Sequence, residues 1–281
     1  MASLDPVGQA YPAALTCSRT NRLEEALEYI ARRDTTTMWG QNWAAWDGIH
    51  FTVLVRLGRL EEALEVARRN RATRPDYWPA LSQEGRVLSA MGRRAEVESL
   101  LSEAQEYPTA EGWSPGELVR DVTLVAAGTG HAEDAAHYAD LALAVLDGVQ
   151  EDTRYLRARL LAYAERWEEA EPIFRELLEE DPEYYPVMGY LGWVLAQQGK
   201  SEEADALRER IGSLDVRFST KALLPYWQAV ISTGLGEHER AVNELEQALS
   251  TGWVYTVWTI WYPWFRPLHD HPRYQRLVAP K

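Results

Sequence analysis

The side chains able to do chemistry are few, and their spacing suits other roles. The chain has six histidines. His269-Asp270-His271 puts two imidazoles and a carboxylate within three residues, a set that could hold a divalent cation. It runs straight into Pro272 in the expected cap, and reads as a solvated turn rather than a metal site. His131 and His137 lie six residues apart, which is not one helical face. Acid pairs such as Glu61-Glu62 and Glu168-Glu169 have the composition of a general acid/base dyad. They recur along the chain, each ahead of a helical stretch, where carboxylates favour the positive end of the helix dipole. Cys17 is the single cysteine, so neither a disulfide nor a thiolate metal cluster can form within the chain. It reads as a small buried residue. The phosphate loop, the dinucleotide fingerprint, His-Glu-x-x-His and the Gly-x-Ser-x-Gly elbow are all missing from the sequence. The expectation is a protein that is not an enzyme and that uses no cofactor and no metal.

The elements that would position any site are set by one recurring phrase. It reads Arg22-Leu-Glu-Glu-Ala-Leu-Glu and then Gly58-Arg-Leu-Glu-Glu-Ala-Leu-Glu. Looser copies begin at Gly92, Gly130, Arg166, Gly199 and Gly236. The small residue of each copy serves as a ruler: Ala26, Ala63, Val97, Ala135, Ala170, Ala204 and Ala241, separated by 37, 34, 38, 35, 34 and 37 residues. Each unit reads as a helical hairpin. In the third, Leu81, Gly85 and Leu88 lie on one face of the first helix. Gly85 and Gly192 mark close helix approach, with Ala158 and Ala229 in the same place in other units. Glycine ends the first helix, the acid pair opens the second, and Pro75, Pro108 or Pro182 ends the unit.

Small residue, Tyr/Leu, Gly, Ala, Phe/Leu, Ala and Pro fall at set offsets, most clearly at Ala158, Leu161, Ala170, Phe174, Leu177 and Pro182. In this the chain resembles the tetratricopeptide repeat (TPR) family, whose period is about 34 residues. The resemblance spans about residues 7 to 250 and implies an all-α fold. The expected architecture is a right-handed superhelical solenoid of about seven TPR-like hairpins in one domain. The repeats fall at roughly 7–43, 44–77, 78–115, 116–150, 151–184, 185–221 and 222–252, with a cap at 253–281. Pro12, Phe51 and the stretch from Pro115 to Ala127 depart from the pattern and are expected to be locally irregular. In the tail, Trp258, Trp261, Trp264 and Phe265 are placed to cover the last apolar face, and a short final helix is expected from His271. The segment Phe265 to Tyr274 also resembles the end of TPR regions in bacterial regulators, but the domains that precede the repeats there have no counterpart here.

Charge narrows the partners. Forty-three acidic residues against 29 basic give a net charge of −14, which disfavours phosphate backbones and anionic membrane surfaces. The first residues lack the basic and apolar regions of a secretory signal, no apolar run reaches the length of a membrane span, and one cysteine fits a reducing compartment. A cytoplasmic location follows as the expectation, with no nucleic acid and no membrane among the partners. Tryptophan and tyrosine, 12 and 14, far outnumber the 4 phenylalanines and suit half-wet seams and grooves.

In the TPR family the first helices line a groove, so the resemblance points to their outward turns. These carry Arg56, Arg86, Arg120, Tyr155, Arg159, Tyr163, Trp193 and Tyr226, with Glu117 and Asp152 at the rim. Such a basic and aromatic set, in an acidic chain, suits an anionic or carboxylate-bearing peptide segment held by a non-catalytic interaction scaffold. The same residues also read as solvated or paired surface arginines and interhelical packing. The family's Lys/Asn carboxylate clamp has no matching set here. A small-ligand sensor enclosed by the superhelix is the alternative. Trp39, Trp43 and Trp46 share one helical face; they either pack the first hairpin on the second or form a patch for a partner or a second copy of the chain.

Overall fold

The computed structural model describes residues 10–33, 43–75, 77–107, 114–147, 153–217, 221–254 and 261–281, the side chains of 43–45 excepted. The described residues form no strand; they fold as consecutive helical hairpins. The pairs are α1 (Ala10–Arg19) with α2 (Leu23–Ala31), α3 (Trp43–Arg56) with α4 (Leu60–Thr73), and α5 (Trp78–Ala90) with α6 (Arg94–Ala104). They continue with α7 (Pro115–Thr129) and α8 (Ala132–Leu146), α9 (Arg154–Tyr163) and α10 (Trp167–Glu180), and α11 (Tyr185–Gln197) and α12 (Ser201–Ser213). The last pair is α13 (Leu223–Gly234) with α14 (His238–Ser250), followed by a 3₁₀ turn at Pro263–Leu268 and α15 (Pro272–Val278).

All seven hairpin turns close the same way. One residue takes a positive φ, and the amide after it bonds the carbonyl five residues back, for example Arg59 to Leu54 and Lys200 to Leu195, both at 2.9 Å. This double-bonded turn satisfies the last carbonyls of the first helix. Glycine takes the left-handed position in five turns, as at Gly58 and Gly199. In the other two, Asn21 (φ 65°) and Glu165 (φ 58°) do so. Asparagine tolerates that conformation; glutamate pays strain for it. The second helices then begin without a side-chain cap, with acids in the first turn. The flanking arginine pairs with the glutamate three residues on, as in Arg59–Glu62 and Arg166–Glu169.

The ruler residues Ala26, Ala63, Val97, Ala170, Ala204 and Ala241 are fully buried, and Ala135 nearly so. At Gly192 a Cβ would lie 2.4 Å from Ile231 Cδ1, so α11 and α13 approach as closely as that position allows. The expected irregularities are mild. Pro12 sits in the first turn of α1, where proline is tolerated, and α7 runs regularly for 15 residues. Pro75 and Pro182 follow the ends of α4 and α10; Pro108 lies outside the described residues.

The chain divides into two compact units. Unit 1 comprises Met1–Asp121, Val254–Ile260 and Val278–Lys281; unit 2 comprises Val122–Trp253 and Trp261–Leu277. Unit 1 has an apolar core in which Ala14, Cys17 and Leu23 meet Trp46 and Val53. Burial pushes the Cys17 thiol up, which makes it inert. Unit 2 buries a larger aromatic set: Tyr163, Tyr190, Trp193, Tyr226, Trp264 and Phe265 are each at most 5% exposed. No described helix is long and apolar enough to cross a membrane.

Candidate binding site

Unit 1 contains three of the expected groove arginines, and each is engaged. Arg56, at the end of α3, donates to the Ser18 carbonyl at 2.6 Å and to the Asn21 side-chain oxygen. The Asn21 amide in turn donates to the Val278 carbonyl at 3.1 Å, and the Lys281 amide donates to the Asn21 carbonyl at 2.8 Å. Arg56 therefore orients the left-handed turn that holds the last residues of the chain.

Arg86 and Arg120 share one buried carboxylate. Asp121 accepts from Arg86 Nε at 2.9 Å, from Ser82 at 2.8 Å and from Arg120 Nη2 at 2.8 Å. Glu117, expected at the rim, pairs with the far side of Arg120. Burial pushes the Asp121 carboxyl up, but Arg86 and Arg120 together outweigh it and hold it below the usual carboxylate range.

The remaining expected residues gather in unit 2. The Arg159 guanidinium lies over the rings of Tyr155, Tyr163 and Tyr190, at 5.4, 5.8 and 5.4 Å from their centroids. Its Nε donates to the Tyr190 hydroxyl at 2.9 Å and its Nη2 to Tyr163 at 3.1 Å. Those two hydroxyls are 2.7 Å apart. Among the described residues no carboxylate pairs with Arg159. Cation–π attraction and phenol oxygens take its place.

Hydrogen-bond supply exceeds demand around Arg159. One O–H serves the Tyr163–Tyr190 bond, and the other finds no acceptor among the described residues, as do both N–H groups on Nη1. Burial keeps Tyr190 protonated, well above its ordinary range. Nearby, the buried Tyr226 hydroxyl and Trp264 indole N–H also lack a hydrogen bond of normal geometry.

Trp193 packs edge-on against Trp167 and Trp264, at 5.0 and 5.5 Å between centroids. Tyr226 meets Phe265 at 5.7 Å. Trp264 is thus more than an end cap: it reaches Tyr163 and Tyr190 as well as Trp193 and Trp227, on the first helices of three hairpins. The backbone joins in, because a Cβ on Gly128 would fall 1.7 Å from the Trp261 carbonyl oxygen. Tyr190, Trp227, Trp167 and Glu165 were not among the residues singled out from the sequence. A signal existed for Glu165, which stands where five other repeats have glycine.

Trp46 is buried and meets Tyr11 edge-on at 5.3 Å, with Arg33 over its ring. Trp39, the Trp43 side chain, Asp152 and Trp258 lie outside the described residues. His269 stacks on Tyr274, and His271 lies 3.2 Å from Glu239. No three His, Cys, Asp or Glu side chains among the described residues gather as a metal site.

Residues 161–216 match the family model described as tetratricopeptide repeat. Over that stretch the chain is tetratricopeptide repeat sequence. The matched TPR stretch includes Tyr163, Glu165, Trp167, Tyr190 and Trp193 of the aromatic site. Two solved structures are similar at low identity. One is the crystal structure of a tetratricopeptide repeat protein from Parabacteroides merdae ATCC 43184, 19% identical, covering 89% of this chain and 94% of that one, with a TM-score of 0.48. The other, described as "MamA MSR-1 C2", is 17% identical and covers 61% of this chain and 94% of that one, with a TM-score of 0.32. No curated protein matches the chain.

Proposed function

We propose that the protein is a non-catalytic binding module, and that unit 2 receives an acidic peptide segment with Arg159 as its charged anchor. TPR repeats generally mediate protein–protein interaction, and the chemistry around Arg159 supports a narrower reading. Arg86 and Arg120 are neutralised by Asp121 and Glu117, whereas Arg159 has a half-buried guanidinium, N–H groups with no acceptor among the described residues and tyrosine hydroxyls around it. A half-buried, donor-rich cluster of this kind is completed by a carboxylate, from an Asp or Glu side chain or a chain terminus. Tyr155 and the neighbouring exposed Tyr184, 5.9 Å apart, add rigid aromatic contact beside the anchor.

The test is a fluorescence-anisotropy titration of the full chain with a labelled Asp/Glu-rich peptide bearing a free C-terminal carboxylate. Saturable binding should weaken as salt rises, and Arg159→Met should weaken it at least about tenfold, the loss of one charge-assisted contact. Equal affinity for wild type and Arg159→Met, or for the acidic peptide and its Asn/Gln counterpart, would sink the reading.

A further inference from the structure

We infer that a cleft in unit 2, between the second helices α10 and α12, binds a medium-chain aliphatic carboxylate. The cleft measures about 430 Å³, within the range of small-ligand sites. Leu191 and Leu195 of α11, both buried, lie at its floor, and the half-buried Leu178 and Leu207 line its sides.

Helical spacing sets its shape. Arg175, Leu178 and Glu179 share one face of α10, with Pro182 just beyond the helix end; Glu203, Ala206, Leu207 and Arg210 share one face of α12. Arg175 and Glu203 close one end, 2.6 Å apart. Arg210 donates to the Pro182 carbonyl at the other. Glu203 and Arg210 are seven residues apart on one helix, so the cleft runs for about 10 Å, roughly the length of an extended eight-carbon chain.

The equivalent place in unit 1 is filled by the chain itself. The repeat register puts Arg71 at the position of Leu178, Glu84 at that of Leu191 and Glu103 at that of Arg210. The Arg71 guanidinium bridges Glu84 and Glu103, at 2.8 and 2.7 Å. Its aliphatic stem thus occupies the groove. The strut at the end is the same in both units, Arg68–Glu96 and Arg175–Glu203, each at 2.6 Å. Unit 2 keeps the strut, has leucine in place of both Arg71 and Glu84, and carries arginine in place of Glu103. The groove loses its internal occupant, and the charge at its end is reversed. The group that fits is the inverse of Arg71: an aliphatic stem ending in an anion.

Arg210 is placed to read that anion. It is exposed, and its bond to the Pro182 carbonyl leaves it without a carboxylate partner among the described residues. A guanidinium and a carboxylate make paired, charge-assisted hydrogen bonds, while the leucines take the methylenes out of water. Glu179 is the other charge at the cleft without an ion-pair partner among the described residues, and it opposes an anion. The two charges therefore act with opposite sign. The cleft shares no residue with the Arg159 cluster.

The experiment is isothermal titration calorimetry of the full chain with octanoate at neutral pH, where its carboxyl is ionised, beside 1-octanol and butyrate. Octanoate should bind saturably at a single site, 1-octanol at least about fivefold more weakly, and butyrate not measurably, since each buried methylene is worth a few-fold. Arg210→Gln should weaken octanoate about fivefold or more and leave 1-octanol within twofold; Glu179→Gln should tighten octanoate. Ala206→Phe, which fills the cleft from an exposed position, should abolish both, and Arg159→Met should change neither. No saturable heat with octanoate, equal affinity for octanoate and 1-octanol, or an Arg210→Gln chain that binds octanoate as the wild type does would overturn the proposal. So would a peptide ending in Leu-Leu with a free carboxylate that binds where octanoate does not, because the cleft would then belong to a partner chain. Far-ultraviolet circular dichroism of each variant establishes that it is folded.

Discussion

Two arginines in equivalent positions meet opposite chemistry. Arg86 and Arg159 stand eleven residues before the ruler positions Val97 and Ala170, and each reaches across to the next repeat. Arg86 of unit 1 meets Asp121, fourteen residues before Ala135; Arg159 of unit 2 meets Tyr190, fourteen before Ala204. The third member matches too. Ser82 bonds Asp121, and its counterpart Tyr155 lies edge-on to Tyr190 at 6.0 Å. The slot is one device with two fillings. A carboxylate turns the arginine into a structural strut; a phenol leaves it without a carboxylate partner among the described residues, which is the feature the proposed peptide contact rests on.

The sharpest way to break this comparison is to remove the carboxylate. Asp121→Ala leaves Arg86 and Arg120 facing each other without their shared anion, and should destabilise the protein by about 3–5 kcal/mol in chemical denaturation. Arg86→Met should also cost heavily, because it strips Asp121 of its strongest partner. If either change costs under about 1 kcal/mol, the strut reading fails.

Acid tests the same slot without mutation. The Asp121 carboxyl is held below the range of an unfolded aspartate, near 3.9. Its contribution is therefore fully present above that range and is lost as pH falls through the depressed folded value. Unfolding midpoints followed from pH 6 to pH 2 should show an acid limb that shrinks in Asp121→Ala. The tyrosine slot carries no group that titrates in that interval, so Tyr190→Phe should leave the limb unchanged.

The two fillings also mark how far the sequence could be read. The turns, the ruler residues and the acid pairs recur with the period, because packing demands the same residue type each time. The hairpins were legible for that reason. The difference between Arg86 and Arg159 was not, because it lies one repeat away in Asp121 and Tyr190, and connection length changes the separation from 35 residues to 31. Trp264 was harder still. It comes from outside the period and docks on three repeats at once, so nothing in the repeat register announces where it goes.

A smaller effect sharpens the comparison from the other side. Arg159→Met replaces a cation among phenols with an apolar side chain of similar length. It strands no carboxylate among the described residues, and the exchange of a half-buried charge for a packed thioether is close to neutral. The expected change in stability is under about 1 kcal/mol, in contrast to Arg86→Met at the equivalent position, even though the proposed peptide binding should weaken. Comparable destabilisation by the two substitutions would mean that the tyrosines anchor Arg159 as firmly as Asp121 anchors Arg86.

The smallest expected effect has the opposite sign. Asn21 and Glu165 both hold left-handed turns, but Asn21 works for the fold, since its side chain bonds Arg56 and the Val278 carbonyl. Glu165 has no comparable structural bond; its exposed pairing with Arg266 at 3.8 Å contributes little. Glu165→Gly should therefore stabilise the protein by about 1 kcal/mol, the cost of a left-handed conformation for a residue with a Cβ, while Asn21→Gly should destabilise it. Thermal or denaturant unfolding of the two glycine variants reads both signs. A loss of stability at Glu165 would show that the carboxylate supports the fold.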